Sequence, residues 1–156
     1  MPTSVSAAAQ SILPTTNHVD VAFITLTFPN NVIANIHVSW LDPQKIRNVS
    51  FVGSKARLSM DDTNNSEPLR IFYKSVVGKL PSDSDGTQRD FTFRDGDIIS
   101  PLVENREPLT QQVNDFLDCI LHNKEPLSGA EMGIKITKIL VAIDKSIKLG
   151  QSVQIV

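Results

Sequence analysis

Acid–base or nucleophilic chemistry in this chain would have to come from three histidines, His18, His37 and His122, and one cysteine, Cys119. The residues around them place the three histidines in three different elements, so no converging group of the kind a catalytic site needs can be read from their spacing. His37 sits in mid-strand beside Asn35 and Ser39, where an imidazole can touch a ligand or serve as a structural or interface residue. His122 falls near a helix C-terminus, where a cation complements the helix dipole. Cys119 lies beside the apolar stripe of the same helix and has no identifiable base, which is the setting of a core thiol. Asp83-Ser84-Asp85-Gly86 lacks the further acidic position and the closing glutamate of a calcium loop. Asp61-Asp62 reads as a solvated turn.

The segment Ser39-Trp40-Leu41-Asp42-Pro43-Gln44-Lys45-Ile46-Arg47 is more unusual, because it sets an aromatic ring and two cations around a proline-stiffened corner. Two readings are open. Trp40, Lys45 and Arg47, with His37 nearby, can hold an anionic ligand; alternatively Trp40 is core, and Lys45 and Arg47 snorkel or pair with acidic neighbours. Phosphate cradling by a glycine-rich loop is not expected. The seven glycines, at 53, 78, 86, 96, 129, 133 and 150, match neither a G-x-G-x-x-G nor a P-loop spacing, so no dinucleotide or nucleotide cofactor is expected in this chain by those routes.

The elements that must position these residues change character along the chain. From Val19 to Tyr73, segments rich in Val, Ile, Phe and Thr are broken by Asn, Pro, Gly and Asp, which predicts a β-meander. Val19 to Phe28 and Val32 to Trp40 flank Pro29-Asn30-Asn31, and Asn tolerates the positive φ of a tight hairpin turn. In the second strand Val32, Ala34, Ile36, Val38 and Trp40 share a core face, while Ile33, Asn35, His37 and Ser39 share a half-polar one. Arg47 to Val52, Ala56 to Met60 and Leu69 to Tyr73 continue the sheet. Residues 75–90 have the composition of a long, mobile loop, followed by a short strand at Phe91 to Arg94. Ser4 to Leu13 is a further strand or a frayed end within residues 1–18. The period then becomes helical: Leu109, Val113, Phe116, Leu117, Ile120 and Leu121 form one stripe behind Pro108, and Ile136, Ile139, Leu140, Ile143 and Ile147 a second, stopped by Gly150. A last strand is expected over Ser152 to Val156. Strands followed by helices predict an α+β fold with helices on one face of an open sheet.

Composition bounds the class. The 156 residues carry 15 Lys+Arg and 17 Asp+Glu, a formal charge of −2, and are 40% hydrophobic. These are the proportions of one soluble globular domain, long enough to build a core without disulfides or metals. A near-neutral balance with no basic block excludes an electrostatic nucleic-acid footprint. A single cysteine forms no internal disulfide, and no window approaches the ~20 apolar residues of a membrane span. Residues 1 to 18 lack the basic and apolar regions of a signal peptide, so the cytoplasm is the expected compartment.

Together, the Asn-rich hairpin, Ser-Trp-Leu-Asp-Pro-x-Lys-x-Arg over 39–47, Phe51-Val52-Gly53-Ser54-Lys55 and Asp61-Asp62 resemble the C-terminal domain of the glucose-fructose oxidoreductase / inositol dehydrogenase / MocA (Gfo/Idh/MocA) family of NAD(P)-dependent sugar oxidoreductases. Glu107-Pro108-Leu109, Lys124-Glu125-Pro126-Leu127-Ser128-Gly129, Gly133, Lys145-Ser146 and Gln151 extend the resemblance to the end of the chain. It implies an open-faced, mostly antiparallel mixed sheet with helices on one face, of the dihydrodipicolinate-reductase-like and glyceraldehyde-3-phosphate-dehydrogenase-like C-terminal type. It also implies that this domain walls a substrate pocket and takes part in subunit contacts, as a homodimer or tetramer through the open sheet face. The Trp-Leu-Asp-Pro-x-Lys-x-Arg form resembles branches acting on nucleotide-linked or amino sugars, which makes a nucleotide sugar the implied ligand class and Trp40, Lys45, Arg47 and His37 its candidate contacts.

Full-length members carry NAD or NADP on an N-terminal Rossmann domain with a Glu-Lys-Pro lysine, and an Asp and His on a helix that opens the second domain. No counterpart of these occurs here, so no catalytic or cofactor-binding residue is assigned, and the expectation is a non-catalytic, self-associating domain. Half of a split dehydrogenase, active with a separate Rossmann chain, and a stand-alone sugar-binding module are the alternatives.

Overall fold

The alternation of β-branched and polar residues that begins at Val19 is realised as antiparallel strands joined by short turns. A computed structural model describes residues 1–13, 18–73, 75–78, 91–94, 96–104 and 106–155. The elements are β1 (Ser4–Gln10), β2 (Val21–Thr27), β3 (Ile33–Ser39), β4 (Asn48–Val52), β5 (Arg57–Asp61), β6 (Leu69–Phe72), β7 (Ser75–Gly78), β8 (Phe91–Arg94), β9 (Ile98–Ile99), α1 (Pro108–His122), α2 (Ala130–Leu149) and β10 (Val153–Gln154). The fold is α+β, as the order of periodicities predicts. Ser4–Gln10 is a strand paired along its whole length rather than a frayed end. The loop expected over 75–90 starts with β7; residues 79–90, including Asp83-Ser84-Asp85-Gly86, lie outside the described residues. The chain divides into two compact units, Met1–Pro43 with Pro108–Val156, and Gln44–Glu107.

In the first unit the strand order is β10-β1-β2-β3, every pair antiparallel. Asn30 and Asn31 close the β2–β3 hairpin at φ 61° and 60°, both in the left-handed region that a type I′ turn requires, and the Phe28 N–H donates to the Val32 carbonyl at 2.8 Å. Register settles the two faces. Val5, Ala7 and Ala9 align with Ala22, Ile24 and Leu26, and these with Ala34, Ile36 and Val38. α2 lies on this side, and the core is Val5, Ala22, Ile24, Leu26 and Ala142, with Ile139 and Ile143 packed against it. Gly150 ends α2 in the left-handed conformation at φ 63°, its N–H bonded to the Ser146 carbonyl. α1 buries none of its residues.

In the second unit the order is β4-β5-β6-β9, again antiparallel, while β7 and β8 pair as a separate hairpin. Cross-strand register puts Val49, Phe51, Leu58, Met60, Leu69, Ile71 and Ile99 on one face, and Asn48, Ser50, Arg57, Ser59, Asp61 and Arg70 on the other. β9 was not foreseen from the sequence, because Ile98 and Ile99 are two apolar residues among polar ones with no alternation on either side. Its entry needs Gly96: a Cβ there would collide with the Tyr73 carbonyl oxygen, while the Tyr73 N–H donates to the Asp97 carbonyl at 2.9 Å.

Candidate functional site

The face of the first sheet opposite α2 is the most distinctive surface of the first unit. Register places Ser4, Ser6, Ala8 and Gln10 of β1 beside Val21, Phe23, Thr25 and Thr27 of β2, and these beside Ile33, Asn35, His37 and Ser39 of β3, with Gln154 of β10 opposite Ser4. None of these thirteen carries a formal charge at neutral pH, and among the described residues no element of this unit covers them. Phe23 is 53% and Ile33 68% exposed. Solvated sheet faces ordinarily carry charges that discourage association, and this face, with exposed aromatic and aliphatic groups, has none. At its middle the Phe23 and His37 rings stack with centroids 4.4 Å apart and planes 10° from parallel, and next to them Asn35 Nδ2 reaches Thr25 Oγ1 at 3.4 Å. Of the four residues named as candidate ligand contacts, His37 is the one on this face.

Trp40 leaves the end of β3. Its N–H donates to the Asp20 carbonyl at 2.8 Å and Ser39 Oγ accepts the Leu41 N–H at 3.0 Å, so the corner is held by backbone bonds while the indole stands 87% exposed. The reading of Trp40 as core does not hold: the strand ends before the alternation reaches it. A small cavity of about 160 Å³ lies beside it, between Val19, Val38 and Ser39. Lys45 and Arg47 belong to the second unit, where Arg47 Nη1 meets the Asp62 carboxylate at 3.2 Å with both side chains largely exposed. The acidic partner proposed for Arg47 on sequence grounds is therefore Asp62.

The other chemical candidates resolve as local structure. His122 Nδ1 lies 2.7 Å from the Asp118 carboxylate, which also receives Lys124 Nζ at 2.7 Å. The Lys124 ammonium holds the Asp118 carboxyl below its ordinary range, and Asp118 in turn raises Lys124. Partial burial, reinforced by the charges of Asp115 and Asp118, pushes the Cys119 thiol up and away from the thiolate form a nucleophile needs. Asp61 Oδ1 accepts the Thr63 hydroxyl at 2.6 Å and the Thr63 N–H at 2.9 Å, which lowers its own titration and makes the turn. Among the described residues no group of three His, Cys, Asp or Glu side chains can hold a metal, and no helix is long and apolar enough to cross a membrane.

Two residues that matter escaped sequence reasoning. Asp20 is 6% exposed and accepts the Ile12 and Leu13 N–H groups, each at 2.7 Å, on one carboxylate oxygen. Ser146 is fully buried; its Oγ accepts the Ala7 N–H at 2.9 Å and donates to the Gln151 carbonyl at 2.7 Å, covering the edge of β1 beyond its short pairing with β10. For Asp20 the only signal was a polar residue beside an apolar run; Ser146 and its acceptor Gln151 stood among the residues that carry the family resemblance, with no role attached to them.

Comparison with known proteins finds one partial match in sequence and several in fold. Residues 1–59 match the GFO/IDH/MocA C-terminal domain. Among solved structures, 98% of the chain superposes on 41% of the aldose-aldose oxidoreductase from Caulobacter crescentus, crystallised with glycerol, at 17% identity and a TM-score of 0.68. An oxidoreductase domain protein from Kribbella flavida gives 0.71 at 17% identity over 99% of this chain and 44% of that one. The WlbA dehydrogenase from Bordetella pertussis, in complex with NADH and UDP-GlcNAcA, gives 0.65 at 15% identity over 98% and 38%. These similarities establish the fold. The chain spans about two fifths of the length of these oxidoreductases. No curated relative matches its sequence.

Proposed function

We propose that this chain, whose residues 1–59 match the GFO/IDH/MocA C-terminal domain, is the substrate-wall and assembly domain of a sugar or nucleotide-sugar dehydrogenase, non-catalytic by itself and self-associating through the outer face of β1, β2 and β3. The observation that carries this reading is the absence of charge on that face. A two-fold interface sets each patch against its own copy, so any charge near the axis would meet its like; an uncharged face is compatible with itself, whereas a charged partner would find no complement on it. Sedimentation velocity at micromolar concentration is expected to show a dimer, and Thr25→Arg, which places a cation in the middle of the face, to give a folded monomer. A native chain that sediments only as monomer removes the assembly role.

The substrate side of the reading rests on the cationic Lys45 and Arg47 of the second unit, groups suited to the phosphates of a nucleotide sugar. Calorimetric titration with a UDP-sugar is expected to give binding that weakens at least tenfold on combined Lys45→Ala and Arg47→Ala substitution. Binding unchanged by that pair would place the ligand elsewhere.

A further inference from the structure

We infer that His37 makes the association acid-labile: two copies join while its imidazole is neutral and part when it takes a proton. This deepens the preceding reading and rests on it. His37 is the one titratable side chain on the outer face, and it sits near the middle, stacked on Phe23 at 4.4 Å. The groups around it are uncharged on every strand: Ser6, Ala8 and Gln10 on β1, Val21 and Thr25 on β2, Asn35 and Ser39 on its own β3. α2, with Lys138, Asp144, Lys145 and Lys148, packs on the opposite face of the sheet. Among the described residues, therefore, no carboxylate of this face stands ready to receive an imidazolium.

The free chain can hydrate a protonated His37, and its stack on the Phe23 ring supports the cation there. In the assembly the same proton would be carried into a face whose copy offers no counter-charge, and two copies would bring two such cations toward one another. The linkage has one sign. The charged form is favoured in the separated state, so association is strongest where the imidazole is neutral and weakens as falling pH protonates it. If the dimer admits only the neutral form, each copy must shed its proton to associate, so once the imidazole is charged binding weakens about tenfold per copy, and about a hundredfold for the pair, with each further unit of pH.

Sedimentation equilibrium of the full chain near pH 7.5 and pH 5.5 tests this, with far-UV circular dichroism at both to confirm the fold. The dimer dissociation constant is expected to rise about a hundredfold in acid, the His37→Phe variant to keep the stack and lose the pH response, and His37→Lys to be monomeric already at neutral pH. A native dimer equally tight at both pH values, or a His37→Phe dimer that still parts in acid, overturns the role of His37 and leaves the association standing. A chain monomeric throughout removes the association and the switch with it. Should acid unfold the domain, His37→Lys at neutral pH decides alone: a dimer as tight as the native one overturns the inference.

Discussion

Ser146 shows how a single polar atom can be structural. Fully buried, its hydroxyl joins β1, α2 and the turn after α2 by accepting from Ala7 and donating to Gln151. Ser146→Ala removes both partners at once and leaves an N–H and a carbonyl with no replacement. Each such group costs about 1–3 kcal/mol when buried and unmet, so a loss of about 2–3 kcal/mol in urea unfolding is expected, the groups being only partly sealed from water. A loss below about 0.5 kcal/mol, the range of ordinary surface substitutions, would mean that water replaces the hydroxyl. This residue was not readable as important from periodicity, since it falls on neither the apolar stripe nor a turn signal. The hairpin asparagines were readable, because two adjacent left-handed residues have few chemical solutions and Asn-Asn between two β-rich runs is one of them. The titratable candidates were legible as types but not as partners. His122 was expected to meet a helix dipole and meets the Asp118 carboxylate as well, one turn back on the same helix.

At the scale of elements, both helices were legible and their working faces were not. The stripe expected to bury in α2 was Ile136, Ile139, Leu140, Ile143 and Ile147, yet the residues closed off from water are Ala142 and Ser146, flanked by Ile139 and Ile143, while Ile136 and Leu140 stay exposed. The reason lies in β1, whose inward positions include Ala7 and Ala9. A strand of small side chains lets the helix come close only along its own small residues, so backbone proximity overrides the largest hydrophobic face. α1 is the opposite case. Its stripe is correctly periodic, with Phe116 63% exposed and no residue buried, so the amphipathic pattern is present without the packing it ordinarily serves. The consequence is a difference in local stability. Amide protons of α2, anchored through Ala142 and Ser146, are expected to exchange at least a hundredfold more slowly than those of α1 in this chain, since protection follows buried apolar contact. Equal protection measured by hydrogen exchange would mean that α1 is covered in solution.

For the whole molecule, what matters is how little of the apolar side chain is sealed. The first unit closes its core with Val5, Ala22, Ile24, Leu26 and Ala142, two of them alanines, and leaves Phe23, Ile33, Val38 and the α1 stripe in contact with water. A fully buried Val, Leu or Ile side chain contributes about 1.5–3 kcal/mol, so a centre of three such residues supports only marginal stability against the conformational entropy of the chain. If the uncharged face of β1, β2 and β3 is where copies meet, association adds the missing burial, and stability becomes a function of concentration, because mass action favours the associated state. For a dimer that unfolds as it separates, each tenfold increase in concentration adds about 1.4 kcal/mol, and with the usual entropy of unfolding per residue this raises the midpoint by about 2 °C. Differential scanning calorimetry over two decades of concentration at neutral pH is therefore expected to show a rise of about 4 °C, and Thr25→Arg to give a lower midpoint with no concentration dependence. A native midpoint independent of concentration would mean that the exposed faces add nothing to the fold through self-association.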